Sequence, residues 1–222
     1  SIYWQLYDYY GVPCAAYYGT KKACEPLQLI YNYKDSHVYL VNEGLYEGDV
    51  EVSVKVYDDA SALLGEQAKT VKTSYRNNVD AFDMTAYAGK PHFIALEVKC
   101  KDGKVIADNF YCIAAERNVY DWDNFDWYIT PIKKHSDLRF AFAQPEAEVA
   151  METSYADGVY TVTLKNDSDV VSYMNILKAK DAEGNMIVPA YWSDNFFPLL
   201  PGQTKTVTCK ADVAGAKIEL DK

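Results

Sequence analysis

Val50-Glu51-Val52-Ser53-Val54-Lys55-Val56 sets a valine at every second position, with Glu, Ser and Lys between them. Successive side chains of a strand point to opposite faces, so this run has one apolar and one polar face and reads as a half-buried strand of a β-sandwich. Outward from it, similar runs lie at Leu29 to Tyr33, Val38 to Val41, Ala68 to Thr73, Phe93 to Lys99 and Val105 to Tyr111, separated by turn formers. That spacing is typical of all-β domains, and it predicts six or seven strands over residues 27–115. A second series at Glu148 to Thr153, Val159 to Lys165, Val171 to Lys180, Met186 to Pro189, Lys205 to Thr208 and Lys217 to Leu220 predicts a second sandwich over residues 137–222.

Between the two runs a connector, residues 116–136. It holds Tyr120, Trp122, Phe125, Trp127 and Tyr128 among Asp and Asn, unlike a Gly- and Ser-rich flexible linker. Its aromatic area is enough to dock on a neighbouring surface and to fix the angle between the sandwiches; the other reading of these rings is a sugar-stacking platform. Residues 1–26 break the strand pattern. Ile2 to Leu6 is a short apolar segment, Tyr7 to Pro13 a loop, and Ala15 to Cys24 has helical composition ending before Glu25-Pro26. A lone strand and helix cannot bury their own apolar faces, which implies partners from an α/β domain upstream. The segment is then expected to be disordered, packed on a sandwich or paired with another copy of the chain, and its removal is expected to cost little stability.

Composition narrows the function. The chain has 222 residues with 22 Lys+Arg against 32 Asp+Glu, a formal charge of −10, which argues against a phosphate-neutralising nucleic-acid binder. No run of apolar residues is long enough for a membrane span. Five cysteines, at 14, 24, 100, 112 and 209, are odd in number and lack CxxC spacing, which speaks against a disulfide scaffold and a zinc site. Cys100 and Cys112 flank the turn Lys101-Asp102-Gly103-Lys104 and pair only if strand geometry sets them opposite each other. His37, His92 and His135 stand alone in separate segments, and no GxSxG, P-loop, GxGxxG or HExxH motif occurs. The acidic turns at 101–104 and 181–185 could hold calcium, but solvated Asp-Gly turns account for them. No cofactor or metal is expected.

Tyr3-Trp4-Gln5-Leu6-Tyr7-Asp8-Tyr9-Tyr10, followed by Ala16-Tyr17-Tyr18-Gly19-Thr20-Lys21-Lys22-Ala23-Cys24-Glu25-Pro26-Leu27, resembles the last strand, loop and helix of the catalytic (β/α)8 barrel of glycoside hydrolase family 2. The likeness is greatest to its exo-β-D-glucosaminidases and β-mannosidases. Ala107-Asp108-Asn109-Phe110-Tyr111 resembles the strand that closes the first immunoglobulin-like domain after that barrel, and Trp192 to Gly202 (WSDNFFPLLPG) resembles a signature of the C-terminal domain. The resemblance implies an all-β chain: two immunoglobulin-like antiparallel sandwiches in tandem, preceded by a barrel remnant over residues 1–26. It implies a parent that removes β-linked mannose or glucosamine by a retaining mechanism with two Glu about 5 Å apart. Both Glu lie on earlier barrel strands, so no catalytic residue is assigned and the chain alone is expected to be inactive. Its partner would be the missing barrel of the same polypeptide, and periplasmic or secreted location follows by resemblance only. Trp4, at the end of a barrel strand, and Trp192, in the signature, are the candidate substrate contacts; core packing is the competing reading for each. Oligosaccharide is a further expected partner, and self-association would proceed through the N-terminal segment. The alternative function is a stand-alone carbohydrate-binding or adhesive β-sandwich module.

Overall fold

The computed structural model describes residues 5–44, 46–211 and 213–221. Contacts divide the chain after Glu25 and after Ala143, so that one compact unit holds residues 26–143 and the other combines residues 1–25 with 144–222.

The unit of residues 26–143 is built on β1 (Leu27–Asn32), β2 (His37–Asn42), β3 (Gly48–Asp58), β4 (Leu63–Thr73), β5 (Asn77–Asp83), β6 (His92–Lys99) and β7 (Val105–Ile113). All pairings are antiparallel, in sheets of order β1-β2-β5 and β4-β3-β6-β7. The valines that decided the fold do what alternation requires. Val50, Val52, Val54 and Val56 of β3 are buried with Leu29, Val38 and Leu40 of the facing sheet and with Ile94, Leu96 and Val98 of β6. A register shift at Val56/Tyr57 explains why these two neighbours are both buried.

The connector is ordered and groups with this unit. β8 (Val119–Tyr120) pairs with β9 (Ile132–Lys134), Trp122–Asn124 forms a 3-10 turn, and Asp126 and Ile129 exchange backbone bonds of 3.0 and 3.1 Å at the tip. A one-turn helix, Arg139–Phe142, follows and sets Phe140 4.9 Å from the ring of Phe93.

In the other unit, β10 (Val149–Ala156), β11 (Val159–Asn166), β12 (Ser172–Lys180), β13 (Tyr191–Trp192), β14 (Phe197–Leu199), β15 (Thr204–Lys210) and β16 (Lys217–Asp221) form sheets of order β10-β11-β15-β13 and β14-β12-β16. Helix α1 (Ala15–Ala23) belongs to the same core: Tyr18 is 5% exposed and lies in one cluster with Val162, Leu164, Leu177, Phe197 and Leu199. Of the three fates expected for the N-terminal segment, packing on a sandwich is seen for α1, whereas Tyr9 and Tyr10 are exposed. The sandwich core includes a ring that α1 supplies, which argues against the expectation that its removal costs little. The expected strand Met186 to Pro189 is corrected: the stretch has a single bridge, Lys180 to Met186, and a cis Val188–Pro189 bond in a loop.

One device recurs. Asn42 at the end of β2 and Asn166 at the end of β11 are both fully buried. Each accepts, on Oδ1, the N–H two residues on (Gly44 at 3.0 Å, Ser168 at 3.1 Å) and donates to the carbonyl four residues on (Tyr46 at 2.7 Å, Val170 at 2.8 Å). A second donor bond crosses the sandwich, to Ser74 O at 3.0 Å and to Leu199 O at 3.0 Å. The chain must leave the sheet there, and the amide supplies the partners that buried backbone groups lose at the turn.

Candidate functional site

A cavity of about 410 Å³ lies between the end of the sandwich of the 26–143 unit and the connector, a volume in the range of small-ligand sites. Tyr31, Tyr33, Ser36, Arg117, Tyr120 and Ser136 are among its walls. The tyrosines arrive there because alternation along β1 continues past its end: Tyr31 is buried, and Tyr33, two residues on, keeps the same side. Their rings meet edge to face at 5.1 Å, and Tyr111 of β7 closes the group at 5.8 Å from Tyr31. Burial pushes the Tyr33 hydroxyl up to about 12, so it stays protonated and able to donate.

The polar wall is held as firmly. Ser36 sits in the left-handed region at φ 62, a conformation costly for serine, and is fixed by Ser36 N to Asn32 O (2.9 Å) and Met84 N to Ser36 O (2.9 Å). Its hydroxyl accepts from the Arg117 guanidinium at 3.1 Å. Across the cavity Ser136 N donates to Asn118 Oδ1 at 2.7 Å. From Tyr120 a ladder of rings leads outward, Tyr120 to Trp122 at 5.7 Å and Trp122 to Phe125 at 6.4 Å, with Trp127 against Tyr128 at 4.5 Å on the tip. Trp122 is 68% and Trp127 80% exposed. Lys133 Nζ joins the carboxylates of Asp121 (2.9 Å) and Asp123 (3.2 Å) beneath the ladder. Hydrogen bonds from Asn124 and then Lys133 hold Asp121 below the usual carboxylate range.

Other sequence candidates fall elsewhere. Trp4 lies outside the described residues. Trp192 is 7% exposed in the core of the other unit, where β13 sets it opposite Cys209, so its ring offers a ligand almost no surface. The same signature works structurally through Asn195, whose side-chain amide pairs with both backbone groups of Leu177 (2.8 and 2.9 Å) and hydrogen-bonds Tyr18. Lys21 of α1 donates to Ser193 O at 2.5 Å. Asp8 accepts Tyr10 N and Val12 N, both at 2.9 Å, as a turn-forming acid. The acidic turns are likewise occupied by their own backbone: Asp102 Oδ1 takes Lys104 N at 3.0 Å and Asp181 Oδ1 takes Asn185 N at 2.7 Å. No disulfide joins any of the five cysteines; Cys112 is opposite Phe93, at the far end of the hairpin from Cys100. Sequence reasoning missed the cavity because it is assembled from the β1–β2 turn, the end of β7 and the connector, and no local pattern links the three.

Fold and site together define a pair of immunoglobulin-like sandwich units, one of which carries a tyrosine-lined cavity under an aromatic hairpin. No helix among the described residues is long and apolar enough to cross a membrane. Residues 127–221 match the family model described as the exo-β-D-glucosaminidase Ig-fold domain. Exo-β-D-glucosaminidases of Hypocrea jecorina and Arthroderma benhamiae are 28% and 30% identical, over 99% and 90% of this chain but only 26% and 23% of their own length. The crystal structure of Amycolatopsis orientalis exo-chitosanase superposes with a TM-score of 0.87 at 28% identity, covering 98% of this chain and 27% of that one. A β-D-mannosidase from Dictyoglomus thermophilum, at TM-score 0.67 and 18% identity over 97% of this chain and 24% of its own, shares the fold. The chain thus spans about a quarter of the length of the relatives it matches. The chain as a whole fits the C-terminal immunoglobulin-like part of a glycoside hydrolase family 2 enzyme.

Proposed function

We propose that this chain is the non-catalytic β-sandwich part of a larger retaining glycosidase that removes β-linked glucosamine from chain ends. The observation that carries the reading is the 28% identity, over 99% of the chain, to a protein named exo-β-D-glucosaminidase. Glucosaminide is favoured over mannoside because the mannosidase likeness is 18% identical and speaks to fold alone. Residues 1–26 are then the last strand, loop and helix of the catalytic barrel, with Trp4 near its pocket. A property of α1 supports this. One face carries Tyr18 into the sandwich, while Ala16, Gly19, Thr20 and Ala23, spaced as one helical face, are exposed, and a Cβ added at Gly19 meets nothing within 4 Å. Small residues on a free helical face let another element approach closely, as a neighbouring barrel helix would. The sandwich units would buttress the barrel. Export, to the periplasm or the medium, follows from a polymeric substrate that cannot enter the cell.

Hydrolysis of p-nitrophenyl β-D-glucosaminide tests the reading. The 222-residue chain should give no turnover, and the full-length polypeptide that contains it should release glucosamine faster than it cleaves the β-mannoside. Turnover by the chain alone, or no glycosidase activity in the full-length polypeptide, would overturn it.

A further inference from the structure

The cavity and its ring ladder are not used in the function proposed above, and their chemistry points to a ligand. We propose that the cavity beneath the connector, together with the rings of Tyr120, Trp122 and Phe125, is a binding site for a β-linked pyranose chain. A pyranose presents an apolar C–H face and a rim of hydroxyls. The first is matched by ring faces; the second needs fixed donors and acceptors.

Both are present and preorganised. The cavity has Tyr33 and Tyr120 as aromatic walls, with the Arg117 guanidinium and the Ser36 hydroxyl held 3.1 Å apart beside them. The strained Ser36 backbone, fixed by two hydrogen bonds, keeps that wall in place before any ligand arrives. Tyr120 belongs both to the cavity and to the ladder, so a sugar seated in the cavity would be followed by further rings over Trp122 and Phe125. Every exposed ring of the ladder has Asp or Asn beside it in sequence, from Tyr120-Asp121 to Asp126-Trp127. Cores of protein interfaces are depleted of such charged residues, whereas hydroxyl-rich ligands use them. This charge pattern favours a sugar over a protein partner or a second copy of the chain. The inference goes beyond the accessory reading and does not depend on it, since a binding site of this kind would serve a free-standing module equally well.

Calorimetric and tryptophan-fluorescence titrations of the 222-residue chain with oligomers of glucosamine, N-acetylglucosamine and mannose provide the test. At least one series should bind saturably, and the three arms identify which pyranose is held. Tyr120→Ala and Trp122→Ala should each weaken binding roughly three- to tenfold, the range for losing one stacked ring. Both side chains are exposed, so the variants keep the fold; Tyr191→Ala, an exposed ring of the other unit, should leave affinity unchanged. Three results would overturn the proposal: no saturable binding of any series, equal affinity in the Tyr120 and Trp122 variants, or sedimentation showing that these rings hold two copies of the chain together instead. Hydrolysis by the full-length polypeptide is read separately, so failure here leaves the accessory reading standing.

Discussion

Tyr18→Ala removes the one fully packed ring by which α1 joins the core of the 1–25 and 144–222 unit. The ring is 5% exposed, lies 5.8 Å from Phe196, and its hydroxyl bonds Asn195, the residue that pairs with the backbone of Leu177. Truncating a buried aromatic costs about 3–5 kcal/mol, transfer and cavity terms together. Tyr18→Phe keeps the ring and loses only the bond to Asn195, about 1 kcal/mol. For a unit of roughly 100 residues each kcal/mol lowers the midpoint by about 4–8 °C, so the alanine variant should melt at least about 12 °C lower and the phenylalanine variant about 4–8 °C lower. Scanning calorimetry gives the midpoints. Fluorescence of buried Trp192 assigns the shift to this unit, since Trp122 and Trp127 are exposed in the other. Deleting residues 1–25 should cost at least as much as the alanine variant. A fall of less than about 4 °C for Tyr18→Ala, or an equal fall in both units, would refute the view that α1 completes this core.

Asn42→Ala and Asn166→Ala each strand buried backbone groups at a sheet exit and should lower stability by about 3 kcal/mol in urea titrations, each in its own unit. Two histidines of the 26–143 unit, His37 and His92, should oppose each other with pH. Hydrogen bonding to Asp80 and the nearby Asp83 and Asp35 raise the His37 pKa, so its stabilisation is full below 6.5 and is lost as pH rises through the folded value; His37→Gln should abolish that alkaline loss. Burial lowers the His92 pKa, so its neutral ring stabilises fully above 6.5 and the contribution is lost as pH falls towards the folded value; His92→Gln should flatten the acid side. Burial raises the Cys209 thiol to about 11, so it should react with a thiol reagent only after unfolding, while exposed Cys24 reacts at once. Gly19→Ala should stabilise the 222-residue chain by about 0.5–1 kcal/mol, through helix propensity alone.

What the sequence disclosed follows from how local each signal is. The valines of β3, the hairpin of β6 and β7 and the two-sandwich order were legible because period-two alternation is written in neighbouring residues. β5, Asn77-Asn78-Val79-Asp80-Ala81-Phe82-Asp83, carries no such signal, since four of its seven residues are Asn or Asp; it pairs with β2 and buries Ala81 and Phe82 through tertiary context. Met186 to Pro189 failed the other way: its residues suit a strand, but the chain turns at the Val188–Pro189 bond. For Trp192 the sequence left substrate contact and core packing both open; the polar groups that follow it serve internal partners, with Ser193 N donating to Thr208 O at 2.8 Å and Asn195 pairing with Leu177. The cavity was out of reach because its walls are more than 80 residues apart, Tyr33 against Tyr120.

The repeated asparagine separates what the fold requires from what the function requires. Asn42 and Asn166 occupy equivalent exits in two units whose sequences otherwise differ, and they make the same local bonds, so the device answers to the sandwich and not to a ligand. Asn195 and Trp192 fall in the same class, because each is spent on internal pairing or packing. By that criterion the connector stands apart. Its rings are exposed, the other unit has no counterpart hairpin among the described residues, and the sandwich core is complete without Trp122 or Trp127. A segment that the core does not need, yet that is pinned by Lys133 between Asp121 and Asp123 and by the Asn118 to Ser136 bond, is held for its surface. That is why substitutions at the ladder should change binding and leave the melting midpoint in place, whereas substitutions at Tyr18, Asn42 or Asn166 should do the reverse.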